Sequence, residues 1–307
     1  MPVIEILPDL FFIQRGFLNG NHFVWRGREP VLVDSAYVGG YEETGRLIAG
    51  LGVDLSRVRL IVNTHTHCDH IGGNHRIQER SGCQAALHRI GKHFIDTRDD
   101  WSTWWGYYGQ EAEFFEAHVG LEDGDRIDVG PYEFEVLYTP GHASDGIVLY
   151  NRRHRLLFSG DALWEHDASA LNPRVDGSAA HFAQLDSLDR MAELDIDRVF
   201  PGHGPPFSEV RKAIEKSKDK IRNFMYDPDR LGRSRIKKVV SYTLLMTGAI
   251  DENALFQRLM AWPCFPEFVD IEFQGRYREL FDDSLDSLAA LGRVERRDGR
   301  VVSLLEP

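Results

Sequence analysis

The strongest signal in this chain is the stretch Leu60-Ile61-Val62-Asn63-Thr64-His65-Thr66-His67-Cys68-Asp69-His70. It opens with an apolar run typical of a short buried strand, and it then places three histidines and an aspartate within six positions. In an extended chain, residues two apart point the same way, so His65 and His67 can bind one ion together. Asp69 and His70 follow where the chain turns toward a second ion. The stretch therefore predicts a metal site at the end of a strand.

The ligand types indicate a catalytic site. Neutral imidazole and carboxylate bind zinc, iron(II) and manganese(II), and no second thiolate lies near Cys68 to suggest a structural cysteine cage. The alternation of an extended chain points Cys68 away from the ions, so we interpret it as a packing residue. A chance cluster without a metal would bring desolvated imidazoles together with no compensating partner, which is unfavourable.

Composition describes an ordinary globular protein with an acidic surface. The 307 residues are 42% hydrophobic and 27% charged, enough for one large domain and a small one. With 36 basic and 48 acidic residues, the net charge is −12. This balance argues against a surface built to hold a nucleic acid backbone, although a metal pair would supply its own local positive charge.

Cysteine usage and the N-terminus bear on location. Cys68, Cys83 and Cys264 are widely spaced and suggest no disulfide framework, which favours a reducing compartment. The first residues, Met1–Glu5, lack the basic start and apolar stretch of a signal peptide, and no run elsewhere is long enough to span a bilayer. We expect a cytoplasmic protein with no membrane partner.

Short strand and helix patterns alternate over the first two hundred residues. The early strands are separated by turns and suggest an antiparallel start, whereas the histidine stretch is followed by a helix that ends at a glycine. The predicted strands are 11–13, 22–25, 30–34, 60–63, 132–138, 146–150 and 155–158, and the predicted helices are 42–51 and 74–80.

Three further candidate ligands follow such elements. His142 comes after the strand 132–138, Asp161 comes after 155–158, and His203 follows a helix and a short strand. Each alone is a weak signal, since Pro-Gly-His is also an ordinary turn. Taken together with the stretch at 65–70, they complete a set for two metal ions.

Two other features near these ligands have open roles. The aromatic segment 101–108 is interpreted as a local packing cluster, with a lid over the metal pocket as the alternative. Trp164 and His166, in the loop after Asp161, are candidate substrate-binding residues, with simple packing under a loop as the alternative.

Composition changes near Pro205, and we place a domain boundary there, with 1–206 as the catalytic domain and 207–307 as the C-terminal domain. Helical patterns at 210–226, 234–246 and 251–260, a buried face of Phe281, Leu285 and Leu288, and an Asp-Gly hairpin at 293–304 suggest a winged helix. Over residues 276–300, six basic residues balance six acidic ones. This balance argues against nucleic acid as a partner and favours a packing, pocket-closing or dimerising role.

These motifs, in this order, resemble the metallo-β-lactamase fold superfamily, particularly its glyoxalase II-like and lactamase-like hydrolases with a C-terminal winged-helix-like extension. The resemblance implies an α/β (α+β) fold: a four-layer αββα sandwich followed by a mainly helical winged-helix-like domain. It also implies two divalent ions, with zinc expected and iron or manganese as alternatives. In that family His65, His67 and His142 would bind one ion, Asp69, His70 and His203 the other, and Asp161 would bridge them.

The resemblance implies a dinuclear metal-dependent hydrolase that attacks a small thioester or ester with a metal-bridging hydroxide. Asp69 would orient this hydroxide and shuttle its proton, and the ions would polarise the substrate carbonyl. A phosphodiesterase or ribonuclease of the same fold and a mononuclear iron persulfide dioxygenase are the alternatives. Metal content, oxygen consumption and substrate panels separate the three. A metal-stabilised binding protein is a fourth, non-enzymatic interpretation.

Overall fold

The first sheet has seven strands, and each pairs with the next strand along the chain. Its first four strands are antiparallel neighbours, as predicted, and its last four are parallel. The strands are β1 Val3–Leu7, β2 Leu10–Ile13, β3 His22–Trp25, β4 Val31–Val33, β5 Leu60–Val62, β6 Gln84–His88 and β7 Val119–Leu121. The computed structural model describes residues 2–306.

The second sheet has five strands, in the order β12-β11-β10-β9-β8. Its pairs are antiparallel except β11 with β12, which run parallel. The strands are β8 Arg126–Val129, β9 Tyr132–Tyr138, β10 Ile147–Asn151, β11 Leu156–Gly160 and β12 Arg198–Pro201.

Buried apolar side chains from both sheets form one shared core. Phe12 and Phe23 of the first sheet pack with Phe158 and Phe200 of the second, and the rings of Phe23 and Phe158 stack with their centroids 3.7 Å apart. A second apolar cluster covers the opposite face of the first sheet, where Ile48 and Ile77 come from helices. The two sheets therefore lie face to face with a helical layer on the outside, as the predicted sandwich requires.

Helices connect and flank these strands. Predicted bounds are close to the observed ones, and Gly82 ends α3 in the left-handed conformation, as expected for a helix C-terminus. The helices are α1 Tyr41–Gly50, α2 Cys68–Ile71, α3 Asn74–Ser81, α4 Arg89–Thr97, α5 Trp105–Tyr108, α6 Ala180–Ala192 and α7 Val210–Tyr226.

The chain divides into two compact units. The first unit contains residues up to Arg15, then Asn19–Trp105 and Glu111–Ile221, and holds both sheets. The second contains Gly16–Leu18, Gly106–Gln110 and the chain from Arg222 onward. This division falls inside α7, whereas composition alone places the boundary at residue 206.

The second unit consists of helices and a small antiparallel sheet in which β15 is the middle strand. Phe281, Leu285 and Leu288 are buried, as predicted from their helical spacing. Asp298 and Gly299 both have positive φ, the backbone that a two-residue Asp-Gly turn requires. The elements are α8 Pro228–Thr247, β13 Ile250–Asp251, α9 Glu252–Met260, α10 Cys264–Phe273, α11 Tyr277–Ala290, β14 Val294–Arg297 and β15 Arg300–Ser303.

Between residues 2 and 306, none of the helices has the length and apolar character that a membrane span needs.

Candidate metal centre

The first ligands lie where parallel strands of the first sheet end. β5 pairs in register with β4 and β6, so its carboxyl end lies at the same sheet edge as theirs. His65 follows this end after two residues, and His67 is the N-cap of the short helix α2. Asp69 and His70 then lie within that helix. The tight turn from strand to helix thus brings four candidate ligands to one edge.

The second sheet contributes Asp161 and His203. Because β11 and β12 run parallel, with Gly160 opposite Pro201, the residues that follow these strands lie side by side. A Cβ atom on Gly202 would lie only 2.1 Å from Asp161 Oδ1, so this position requires glycine. The Pro-Gly-His motif therefore allows a close approach between His203 and Asp161.

Gln184 of α6 holds the loop that carries His142. Its side-chain oxygen accepts a hydrogen bond from the His142 amide at 2.9 Å, and its side-chain nitrogen donates to the Ala162 carbonyl at 2.8 Å. The adjacent Gly141 has φ of +145°, and a Cβ there would lie 2.5 Å from the Gln184 side chain. Gln184 therefore links the backbone beside His142 to the backbone beside Asp161.

The structure brings all seven predicted ligands together as buried side chains. They form three overlapping groups in which the ligand atoms lie within 4.8 Å of one another: His65, His67 and His142; His65, His70 and Asp161; and Asp69, His70 and His203. We name the His65, His67 and His142 set the first ligand group, and the Asp69, His70 and His203 set the second ligand group.

Asp161 faces both groups. Its Oδ2 lies 3.4 Å from His142 Nε2 and 3.7 Å from His203 Nε2, and its Oδ1 lies 3.5 Å from His70 Nε2. Asp69 Oδ2 lies 3.1 Å from His203 Nε2 and 3.8 Å from His70 Nε2. One carboxylate thus lies between the two ligand groups, the position predicted for a bridging ligand.

The free nitrogen atoms of the cluster fit a metal centre. The Nε2 atoms of His65, His67, His70 and His142 are buried and have no hydrogen-bond partner among the described residues. A buried imidazole without a partner is costly, and several such atoms facing one carboxylate suit metal ions. His142 Nδ1 lies 2.6 Å from the Ala170 carbonyl, to which only a protonated Nδ1 can donate, and this tautomer leaves Nε2 with its lone pair.

The pKa values divide the histidines into two sets. Burial and neighbouring imidazoles hold the pKa of His65 and His67 well below 6.5, and burial lowers that of His142, so all three are neutral ligands near pH 7. Burial also acts on His70, but the carboxylates of Asp69, Asp161 and Asp34 outweigh it and raise its pKa well above 6.5. The residues around the second ligand group therefore carry more negative charge than the residues around the first.

Asp34 is a buried partner of the site that the sequence reasoning missed. It follows β4 and has φ of +60°, and its Oδ2 lies 2.8 Å from His70 Nδ1. The amide and hydroxyl of Thr64 donate to its two oxygens, each at 2.8 Å. Asp34 therefore fixes the ring of His70 and favours the tautomer with a free Nε2. Its only sequence signal is its place at the end of a strand next to β5.

The aromatic segment packs against the first ligand group. The Trp104 ring centroid lies 4.0 Å from that of His67, and the indole N–H of Trp105 donates to the Thr66 carbonyl at 3.0 Å. Both side chains are buried, in line with the packing interpretation of 101–108. The buried Cys68 side chain belongs to none of the three ligand groups.

The two candidate substrate-binding residues lie in different surroundings. The Trp164 indole N–H donates to Asp161 Oδ1 at 3.2 Å, and its ring lies 5.3 Å from that of His203. The His166 side chain is 72% exposed and lies 3.1 Å from a Glu165 carboxylate oxygen. The structure thus brings Trp164 to the ligand cluster, whereas His166 pairs with Glu165 rather than with a ligand.

Asp145 is a second carboxylate that sequence reasoning missed. It lies three residues after His142, is buried, and its Oδ2 has no hydrogen-bond partner among residues 2–306. Burial raises the pKa of the Asp145 carboxyl from 3.8 to about 7. The folded protein therefore keeps this proton over a range in which the unfolded chain has lost it.

Asp145→Asn should reduce the pH dependence of stability. Because the folded state binds more protons than the unfolded state between pH 3.8 and about 7, the wild-type free energy of unfolding should fall as pH rises through this window. At about 1.4 kcal/mol per unit of pKa, the loss is on the order of 4 kcal/mol. The side-chain amide of the variant has no proton to lose, so the variant should lose this contribution and show a shallower decline, while Asp176, whose pKa burial raises to about 8, contributes equally to both proteins.

Urea unfolding of the metal-free protein from pH 4 to 8 measures this difference, with the exposed Asp186→Asn as the matched control. Parallel pH profiles for wild type and Asp145→Asn would contradict the prediction.

Comparison with known families agrees with the geometry. The family model for the metallo-beta-lactamase superfamily matches residues 20–203, which is more than half of the chain and contains all seven predicted ligands. The chain belongs to this superfamily. The predicted family and fold class are therefore confirmed, and relatives named as hydrolases agree with the expectation of a metal-dependent hydrolase.

Three curated relatives illustrate the range of the superfamily. A beta-lactamase-like protein 2 homolog of Caenorhabditis elegans is 26% identical over 62% of this chain and 57% of its own length. A hydroxyacylglutathione hydrolase of Maricaulis maris is 30% identical over 52% of this chain and 53% of its own length. The acyl-coenzyme A thioesterase MBLAC2 of Gallus gallus is 30% identical over 66% of this chain and 80% of its own length. The chain thus spans little more than half of the first two relatives.

Solved structures of superfamily members share the fold. The metallo-beta-lactamase family protein TTHA1429 from Thermus thermophilus superposes with a TM-score of 0.62 at 22% identity, covering 97% of this chain and all of that protein. The lactamase BJP-1 of Bradyrhizobium japonicum gives 0.58 at 18% identity, over 76% of this chain and 95% of its own. At these identities the likeness concerns the fold.

Proposed function

We propose that this chain is a dinuclear metal-dependent hydrolase that cleaves a small acyl thioester or ester. The observation that carries the proposal is the buried cluster of four imidazole nitrogens that find no hydrogen-bond partner within residues 2–306, three of them on histidines beside Asp161. His65, His67 and His142 would hold one divalent ion, and Asp69, His70 and His203 the other, with Asp161 between them. When bound, two divalent cations, with zinc as the first metal to test, would supply the Lewis acidity that activates water near neutral pH and polarises the substrate carbonyl.

The side chains of this chain have distinct roles in that reaction. Neutral His65, His67 and His142 offer lone pairs at Nε2, and Ala170 holds His142 in the required tautomer. Asp69 would orient the attacking water and accept its proton at a carboxylate oxygen, close to the His203 ring at 3.1 Å. Burial of these groups excludes bulk water, which strengthens every electrostatic interaction at the reacting carbonyl.

The choice of a thioester or ester is supported by two observations. The relatives named as a hydroxyacylglutathione hydrolase and an acyl-coenzyme A thioesterase favour an acyl group carried on a thiol. The net charge of −12 and the balanced charges at 276–300 offer little attraction to a polyphosphate backbone. A small-molecule substrate therefore agrees with the chain better than a nucleic acid.

The test is a substrate panel on protein of measured metal content. Purified protein is loaded with zinc, manganese or iron(II), and acyl thioesters, carboxylic esters, bis-phosphodiesters and a β-lactam are compared by kcat/KM, with oxygen uptake recorded. We expect two metal ions per chain, thioester or ester hydrolysis as the largest value, and loss of activity after chelation with recovery on adding metal back.

Three results would contradict the proposal. Cleavage restricted to phosphodiesters would assign the site to the phosphodiesterase alternative. A single iron per chain with oxygen consumption would assign it to the dioxygenase alternative. Protein that binds no transition metal would refute the metal centre itself.

A further inference from the structure

Trp104 and Trp105 both contact the first ligand group, Trp104 through its ring and Trp105 through a hydrogen bond. The Trp104 ring centroid lies 4.0 Å from that of His67, with 33° between the ring planes. It lies 5.2 Å from the His142 ring centroid, with 65° between the planes. Trp105 donates from its indole nitrogen to the carbonyl of Thr66, the residue between His65 and His67. Two consecutive tryptophans thus reach every histidine of this group or its adjacent backbone.

A carboxylate completes the link to His142. The Trp104 indole N–H donates to Asp176 Oδ2 at 2.9 Å, and Asp176 Oδ1 accepts from the Ser144 amide at 3.0 Å. Ser144 lies two residues after His142. Trp104 and Asp176 therefore connect the ring of His67 to the loop that carries His142, although 74 residues of chain separate these two ligands.

The backbone of Trp104 is unusual for a large residue. Its φ is +72°, in the left-handed region that bulky side chains rarely adopt, and only 5% of the residue is exposed. Strained conformations of this kind persist where the surrounding contacts determine them, and they concentrate at functional sites.

We propose that Trp104 is a positioning residue that holds His67 and His142 in the geometry for metal binding, and thereby raises the metal affinity of the first ligand group selectively. This rests on the proposed metal centre. An imidazole that donates its Nε2 lone pair to a cation becomes positively polarised, and the electron-rich face of an indole favours such a neighbour. The hydrogen bond to Asp176 fixes where that face lies.

Two variants, used as backgrounds for further substitutions, allow the zinc affinities of the two ligand groups to be measured separately. His203→Ala removes a ligand of the second group, so zinc affinity in that background reports on the first group. His142→Ala does the reverse. Trp104→Phe keeps a ring but loses the N–H donor. In Asp176→Asn, an amide donor must face one of the two N–H groups that Asp176 accepts, the Trp104 indole or the Ser144 amide, so the link between them is broken in either orientation.

We expect both substitutions to weaken zinc binding about tenfold in the His203→Ala background, the lower end for groups that orient metal ligands. They should leave zinc affinity unchanged in the His142→Ala background. Affinity is measured by competition with a chromophoric chelator, and the d–d spectrum of the cobalt-substituted protein reports the ligand geometry independently of turnover. Trp101→Phe, in the same segment but 41% exposed, is the control and should match its parent in both backgrounds.

Equal losses in both backgrounds would assign Trp104 a general structural role and overturn the inference. Unchanged affinity in both backgrounds would overturn it as well. Wild-type protein that binds no zinc would instead refute the proposed metal centre, so the two failures are distinguishable.

Discussion

Asp161→Asn is expected to lower kcat/KM about 10³-fold or more. Loss of the carboxylate shared by the two ions should raise the activation free energy by several kcal/mol. The two oxygens of Asp161 lie within 3.4 to 3.7 Å of imidazole nitrogens from both ligand groups. Nearby His203, His70 and His142 outweigh burial and hold the pKa of its carboxyl well below 3.8, so the charge is present at neutral pH. An amide of the same size removes that charge and leaves the packing in place.

Metal content and turnover should fall together in Asp161→Asn. Asp186→Asn makes the same chemical change at an exposed position of α6 and should behave as wild type in both measurements. Circular dichroism checks that the variant retains the fold. Wild-type turnover in Asp161→Asn at wild-type metal content would show that this carboxylate does not hold the ions, and the proposed centre would need a different arrangement.

The sequence predicts the fold and the proposed ligands for a local reason. Four candidate ligands occur in one stretch directly after a three-residue apolar strand, and the others follow the ends of predicted strands. Hydrophobic periodicity and the order of the motifs along the chain therefore suffice to find them. The terminal hairpin is predicted equally well, because Asp298–Gly299 specifies its own turn. In both cases the decisive information lies within a few consecutive residues.

The contacts that the sequence does not reveal are those between residues far apart along the chain. Asp34 contacts His70 from 36 residues away, and Gln184 contacts the His142 amide from 42 residues away. Each is an ordinary polar residue in a strand end or a helix, with no motif of its own. Trp104 lies in a segment that local pattern could assign to packing or to a lid, but not to particular histidines.

Local pattern also fails where a signal is mixed. The helix α10, Cys264–Phe273, is absent from the sequence prediction, since Pro266 interrupts its first turn and its apolar residues follow no clear helical stripe. His166 is a candidate through its nearness in sequence to Asp161, and its side chain is 72% exposed beside Glu165, so its role in substrate binding stays a prediction.

Asp34→Asn is expected to lower turnover about 100-fold or more, through the tautomer of His70. Asp34 accepts three hydrogen bonds in the wild-type protein, from the Thr64 amide, the Thr64 hydroxyl and His70 Nδ1. If the oxygen of the introduced amide keeps the bond to the Thr64 amide, its NH₂ group must face His70 Nδ1. Two donors then oppose each other, so the neutral imidazole that a metal ion requires must carry its proton on Nε2 rather than on Nδ1.

A protonated Nε2 has no lone pair, and His70 is the imidazole that belongs to two of the three ligand groups. The second ligand group should therefore lose metal affinity in Asp34→Asn before the first does, and the ¹⁵N chemical shifts of His70 should report the exchanged tautomer. Asp298→Asn makes the same substitution at another left-handed aspartate, φ +52° in the terminal hairpin, so it controls for backbone strain. Unaltered shifts and unaltered zinc affinity in Asp34→Asn would mean that Asp34 supports the strand end only, and that the geometry of His70 comes from the helix that carries it.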